Sequence, residues 1–194
     1  MQHDIASVLI DRDRIAQRVE AIAEEIRIDH ERMAGPGVEP EITLVPILTG
    51  SIIFVADLVR MLPLRMQIRL ISFSSYPGKS TSAQAGTFQQ ALSTLPESLE
   101  GAHVLLIDDI LDSGQTLRVV GDAIRERRPA SLKSCVLLRK LRSDAMAAPV
   151  DYVCFDIPDE FVVGYGLDYD DHYRNLPDIV TLKPEVVASR EAES

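Results

Sequence analysis

The run Val104-Leu105-Leu106-Ile107 passes without a break into two carboxylates, Asp108 and Asp109, and this junction constrains the chain more than any other segment. Four consecutive apolar side chains leave no polar alternate, so both faces of such a strand must be covered. Residues 42–48 form a similar run interrupted by Pro46, and residues 134–138 another. Helical periodicity fills the intervals. Asp11 can cap a helix whose Ile15, Val19, Ile22 and Ile26 share one face, and Gly35-Pro36-Gly37 breaks it. Residues 51–62 read as a strongly apolar helix with Ser51 as cap and Pro63 beyond its end, and residues 116–128 as a helix striped by Leu117, Val120 and Ile124. Buried strands alternating with helices predict an α/β fold, a largely parallel twisted sheet with helices on both faces. Ligands of such sheets bind at the carboxyl ends of the strands.

The remaining segments are shorter or more polar. Met66, Ile68 and Leu70 alternate with polar residues, predicting a strand over 64–73. Residues 74–90 are rich in Ser, Thr, Gly, Gln and Ala, as in a disordered segment or a functional lid. Residues 152–155, 161–163 and 179–182 read as short strands, residues 108–114 as a turn, and the tail after Pro184 as frayed. The 194 residues suit one domain. A formal net charge of −10 argues against a general nucleic-acid binder, which needs a basic footprint. No apolar run approaches the ~20 residues of a membrane span, and the first residues lack a signal-peptide pattern, so a cytoplasmic location is expected. Cys135 and Cys154 lack metal-ligand spacing and read as buried free thiols; His3, His30, His103 and His172 read as surface or structural.

The chemistry concentrates after the central strand. Asp112-Ser113-Gly114-Gln115-Thr116 can aim successive backbone N–H groups and two hydroxyls at one point, and the following helix adds the positive end of its dipole. Gly114 allows close approach to an oxygen. Adjacent carboxylates at Asp108 and Asp109 can accept hydrogen bonds from vicinal sugar hydroxyls or help hold Mg²⁺. An acidic turn before a helix capped by Asp112 or Ser113 has the same local spacing, and spacing alone divides the two readings evenly.

The segment from Asp108 to Thr116 resembles the phosphoribosyl pyrophosphate motif of type I phosphoribosyltransferases. The wider chain, from about 42 to 182, resembles the hypoxanthine-guanine phosphoribosyltransferases, with several motifs in the same order. The resemblance implies the type I phosphoribosyltransferase fold with a small hood built from the terminal segments. It implies that Asp108 and Asp109 bind ribose hydroxyls, that Asp112 handles the proton at purine N7, and that Ser113, Gly114, Gln115 and Thr116 wrap the 5′-phosphate. Leu48-Thr49-Gly50 resembles the pyrophosphate loop, with a cis peptide at Leu48–Thr49; Thr49 stands where many relatives carry Lys or Arg. Lys140 is placed against O6 of the base, Phe161 stacks on the purine, and Val162 reads it by main-chain groups. Asp168 is placed near the purine and as a ligand of Mg²⁺, with Asp108 and Asp109 as further metal candidates, and Arg174 on pyrophosphate. Ser75 and Tyr76 open a segment similar to the family's mobile loop. The implied reaction transfers the phosphoribosyl group to N9 of hypoxanthine or guanine, in a homodimer or homotetramer.

Three other patterns do not carry. Pro77-Gly78-Lys79-Ser80-Thr81 looks like the end of a nucleotide P-loop, but Phe73 stands where the first glycine belongs. The acidic stretch from Asp168 to Asn175 puts His172 and Tyr173 where a calcium loop needs an oxygen ligand and a glycine. A nucleic-acid-binding regulator on the same fold is disfavoured by the acidic balance and by Lys140, Phe161 and Asp168 together.

Overall fold

The structure, a computed structural model, describes residues 1–72 and 91–191. Its elements are β1 (Ile5–Ile10), α1 (Arg12–Ala34), β2 (Glu41–Leu48), α2 (Ile52–Met61), β3 (Arg65–Ile68), β4 (Ile71–Ser72), β5 (His103–Leu111), α3 (Gln115–Arg125), β6 (Ser131–Lys140), α4 (Ser143–Ala147), β7 (Tyr152–Ile157), β8 (Val162–Val163), β9 (Ile179–Leu182) and α5 (Pro184–Glu191). The main sheet runs β3-β2-β5-β6-β7, with β4 also on β2, and all its pairings are parallel. Alternate residues of β5 serve two cores. Leu105 and Ile107 join Ile15, Val19, Ile22 and Ile26 of α1 and Phe54 and Leu58 of α2. Val104 and Leu106 join Leu117, Val120 and Ile124 of α3. Each such side chain, fully buried, is worth about 1.5–3 kcal/mol. Among the described residues no helix is long and apolar enough to cross a membrane.

α1 follows its sequence signals. Asp11 Oδ1 accepts from the amides of Asp13 and Arg14 at 3.1 and 2.9 Å, and Gly35, at φ 83°, ends the helix by donating to Glu31 O. Cys135 and Cys154 are buried free thiols, and His30 is buried with Nδ1 against Ile26 O.

Several elements depart from the sequence reading. The strand expected over 64–73 is two short pieces, β3 and β4. Leu44 pairs with Ile68 and Ile47 with Ile71, so the gap at Arg69–Leu70 lies beside Pro46, which has no amide to donate. Ile68 and Leu70 are exposed, so their alternation marks an edge rather than a core face. The turn expected over 108–114 begins only at Asp112: β5 continues to Leu111, with Asp108 opposite Val136 and Ile110 opposite Leu138. Leu111 is buried, and this holds the strand in the sheet past the two acids. Ser51 does not cap α2; its hydroxyl turns back to Ile47 O. α3 ends at Arg125, three residues early, in a turn that puts Arg128 at φ 56°. Residues 184–191, expected to fray, form α5, with Pro184 at its first position, where no amide is required.

A second sheet, β1-β9-β8, is antiparallel and joins the two ends of the chain. β1 escapes periodicity because only Ile10 of its six residues is buried and three are exposed. Arg12 ties the start of α1 to this layer through Asp178 at 3.1 Å.

Candidate active site

The carboxyl ends of β2, β5 and β6 converge with the turn that follows β8. A cleft of about 210 Å³ is lined by Asp109, Ile110, Asp112, Lys140, Glu160, Phe161, Val162, Leu167 and Asp168. Six of the expected site residues therefore share one cavity. Ser75 and Tyr76 lie outside the described residues.

Behind this cleft the backbone packs unusually closely. The Leu48–Thr49 peptide is cis. A β-carbon on Gly50 would overlap Asp109 Oδ2 and lie 2.6 Å from its Cγ. A β-carbon on Gly166, at φ 103°, would overlap the carbonyl oxygen of Gly50. Three segments from distant parts of the sequence are thus stacked where glycine alone fits twice.

Asp108 is 6% exposed and accepts from the Asp109 amide at 3.0 Å; Asp109 accepts from the Ile110 amide at 2.8 Å. Neither forms an ion pair among the described residues. Burial pushes the Asp108 carboxyl well above the ordinary carboxylate range, and the Asp109 charge pushes it further. Burial also raises Asp109. The folded state therefore holds its protons to higher pH than the unfolded chain. Stability falls as pH rises from the ordinary aspartate range, about 4, upward through the raised folded values. Asp108→Asn keeps an oxygen for the Asp109 amide while removing the charge. It is expected to flatten that pH slope and to raise the ligand-free Tm at pH 7 by about 2–4 °C, the equivalent of roughly 1 kcal/mol in a domain of this size. Calorimetry from pH 5 to 8 checks this, and a wild-type Tm that does not change with pH contradicts it.

The turn after β5 leaves its amides open. Gly114 is the N-cap of α3, at φ 76°, and no side chain caps the helix; Ser113 Oγ stands 3.5 Å from the Gln115 amide. Of the two caps the sequence offered, Ser113 reaches one amide at the long end of hydrogen-bond range, and the Asp112 carboxylate faces Arg142 and Lys140 instead. First-turn amides without a side-chain acceptor form an anion site.

Asp112 points elsewhere. Its carboxylate meets Arg142 Nη1 at 3.0 Å and Lys140 Nζ at 3.5 Å. Asp159 faces the same two cations, at 3.2 Å from Lys140 and 3.7 Å from Arg142, and Asp144 holds Arg142 at 3.0 Å. Sequence reasoning missed Arg142 and Asp159, because only the approach of the β6 end to the turns after β5 and β7 brings them to Asp112. Phe161 is not a core residue: it is 51% exposed and meets Tyr169 edge-on at 5.3 Å between ring centroids. Val162 is buried in β8. Asp168 pairs with Arg174 at 2.8 Å and accepts from the Asp171 amide at 2.9 Å, while Arg174 also donates to Gly166 O.

The arrangement offers a buried and a half-buried acid for hydroxyls or a cation, weakly capped amides for a phosphate, and an aromatic, a lysine and a carboxylate around one cleft. Comparison with known proteins gives the family. A family model described as a phosphoribosyl transferase domain matches residues 9–170. The hypoxanthine-guanine phosphoribosyltransferase of Mycobacterium avium is 43% identical over 185 residues, 94% of this chain and 88% of that protein. That of Streptococcus pneumoniae is 38% identical over 189 residues, 97% of this chain and 99% of that protein. A solved hypoxanthine phosphoribosyl transferase of Trypanosoma cruzi superimposes with a TM-score of 0.82 at 38% identity, over 97% of each chain. A mutant of the same enzyme complexed with the product IMP gives 0.80 at 37% identity, over 97% of this chain and 95% of that one. With the β5–α3 turn, the stacked glycines and the cleft all lying within or beside the matched span, the chain belongs to the phosphoribosyltransferase family, among the hypoxanthine-guanine phosphoribosyltransferases.

Proposed function

We propose that this chain transfers the phosphoribosyl group of phosphoribosyl pyrophosphate to N9 of hypoxanthine or guanine, giving IMP or GMP and pyrophosphate in purine salvage. The observation that carries this reading is the weakly capped start of α3 directly after Asp108 and Asp109, with Asp109 and Asp112 lining the cleft that also holds Lys140 and Phe161. In this reading the amides of residues 113–116 hold the 5′-phosphate. Asp108 and Asp109 accept from the ribose hydroxyls, and the Leu48-Thr49-Gly50 loop and Arg174 face pyrophosphate. Phe161 covers the purine ring and Val162 reads its edge through the main chain. Lys140 donates to O6; a 6-amino purine would set donor against donor, so adenine is rejected. N9 attacks C1′ as pyrophosphate leaves, positive charge grows on the ribose, and the neighbouring carboxylates stabilise it. Asp112 takes or returns the proton at N7.

Mg²⁺ fits this donor set. Asp108, Asp109 and Asp168 offer only carboxylate oxygens; Asp108 is buried and Asp109 half-buried, and neither has an ion-pair partner among the described residues, where no three such ligands cluster. A hard dication of this kind commonly takes one or two carboxylates together with substrate oxygens. When bound it neutralises charge on the departing pyrophosphate.

The test is a base panel of hypoxanthine, guanine, xanthine and adenine, each with phosphoribosyl pyrophosphate and Mg²⁺, following pyrophosphate release. Turnover with a 6-oxopurine and none with adenine is expected. Turnover with no base at all refutes the reading.

A further inference from the structure

We infer that Tyr165 and Asp57 form a positioning pair that sets the pyrophosphate side of the site, an inference that rests on the proposed function. Tyr165 Oη donates to Asp57 Oδ2 at 2.7 Å, across the space between the turn after β8 and helix α2. The tyrosine is buried, and burial followed by the hydrogen bond to Asp57 pushes its hydroxyl far above the ordinary range. It therefore stays a donor at every working pH.

Its backbone explains why an anchor is needed. Tyr165 has φ 50°, a left-handed conformation uncommon for a bulky residue, between Gly164 at φ 96° and Gly166 at φ 103°. The three residues form a wedge. A β-carbon on Gly164 would overlap Asp178 O, and one on Gly166 would overlap Gly50 O. The main chain is held from the other side, since the Tyr165 amide donates to Leu176 O at 2.7 Å and the Gly166 amide to Arg174 O at 3.0 Å. Two residues beyond Gly166 stands Asp168, and Arg174 Nη1 binds Gly166 O at 2.9 Å. Asp57 belongs to the helix that leads directly out of the Leu48-Thr49-Gly50 loop, and Arg60 of the same helix holds its other oxygen. One hydroxyl–carboxylate bond thus fixes the register between the Gly50 loop and the segment bearing Asp168 and Arg174. On the base side of the cleft, neither Lys140 nor Phe161 forms a hydrogen bond, ion pair or ring contact with Tyr165 or Asp57 among the described residues.

The experiment is steady-state kinetics of the wild type, Tyr165→Phe, Asp57→Leu and Asp57→Asn, varying phosphoribosyl pyrophosphate and hypoxanthine separately, with thermal melts of each. Tyr165→Phe and Asp57→Leu are expected to raise KM for phosphoribosyl pyrophosphate about tenfold, the value of one hydrogen bond to a charged partner. KM for hypoxanthine should stay within roughly twofold. Asp57→Asn retains an acceptor oxygen and should stay close to wild type. Unchanged donor KM in Tyr165→Phe, or an equal rise in both KM values, overturns the pair's role whatever the melts show. Should Asp57→Leu fail to fold, Tyr165→Phe decides alone. An inactive wild type would instead defeat the proposed function.

Discussion

Asp112→Asn is expected to lower kcat by about 10²–10⁴-fold, the range that a positioned acid–base group contributes, while KM for hypoxanthine changes by only a few-fold. The carboxylate lies in the cleft beside Lys140, Phe161 and Val162, within reach of a bound base and away from the open amides of α3. Asparagine has the same shape, and its one carbonyl oxygen can still accept from Arg142, the nearer of the two cations, which stands at 3.0 Å on one carboxylate oxygen while Lys140 stands at 3.5 Å on the other. Both cations also keep Asp159, and Arg142 keeps Asp144, so no charge is stranded. These pairs are partly exposed, and the stability change should be within about 1 kcal/mol. In the proposed reaction the loss is chemical, because an amide at this position cannot take the N7 proton. Spectrophotometric turnover with saturating phosphoribosyl pyrophosphate measures it, and a kcat equal to wild type removes Asp112 from the reaction.

The legible parts of this chain were those where local physics and tertiary physics agree. Asp11, the Ile15–Val19–Ile22–Ile26 stripe and Gly35 defined α1, and the structure keeps all three. The apolar run of β5 announced a strand covered on both faces, which the two cores supply. Errors arose where a neighbour overrode a local signal. Asp108 and Asp109 look like the start of a turn, yet pairing with β6 and the burial of Leu111 carry the strand past them. Pro46 decided where the edge strand beside it breaks, and nothing in residues 64–73 records that. Spacing alone divided the acids after β5 and the glycine at α3 between a capped acidic turn and a ligand site; the family resemblance singled them out, and six of the residues it names share one cleft. Arg142 and Asp159 were hidden because a charge among many charges carries no spacing. Tyr165 was hidden because an aromatic within Phe161-Val162-Val163-Gly164-Tyr165 reads as packing, and its partner Asp57 lies 108 residues away.

Gly50→Ala should cost about 10²-fold or more in kcat/KM for phosphoribosyl pyrophosphate, the penalty of displacing a contact group by roughly 1 Å, without unfolding the protein. The added methyl would occupy the position of Asp109 Oδ2, the free end of a side chain that can rotate. Gly50 itself has an ordinary backbone conformation, so alanine adds no torsional strain there. The cost falls on Asp109, which must turn away from the ribose side of the site. Gly166→Ala tests the other side of the same stack with a different expected signature. Its methyl meets the backbone oxygen of Gly50 rather than a side chain, and φ 103° is unfavourable for any L residue. Activity should fall there too, but with a loss of stability of about 1–3 kcal/mol, which Gly50→Ala should not share. Melting curves beside kinetics separate the two. If Gly50→Ala retains wild-type kcat/KM, the Asp109 carboxylate is not held where the sugar needs it, and the assignment of the ribose contact to Asp109 is wrong.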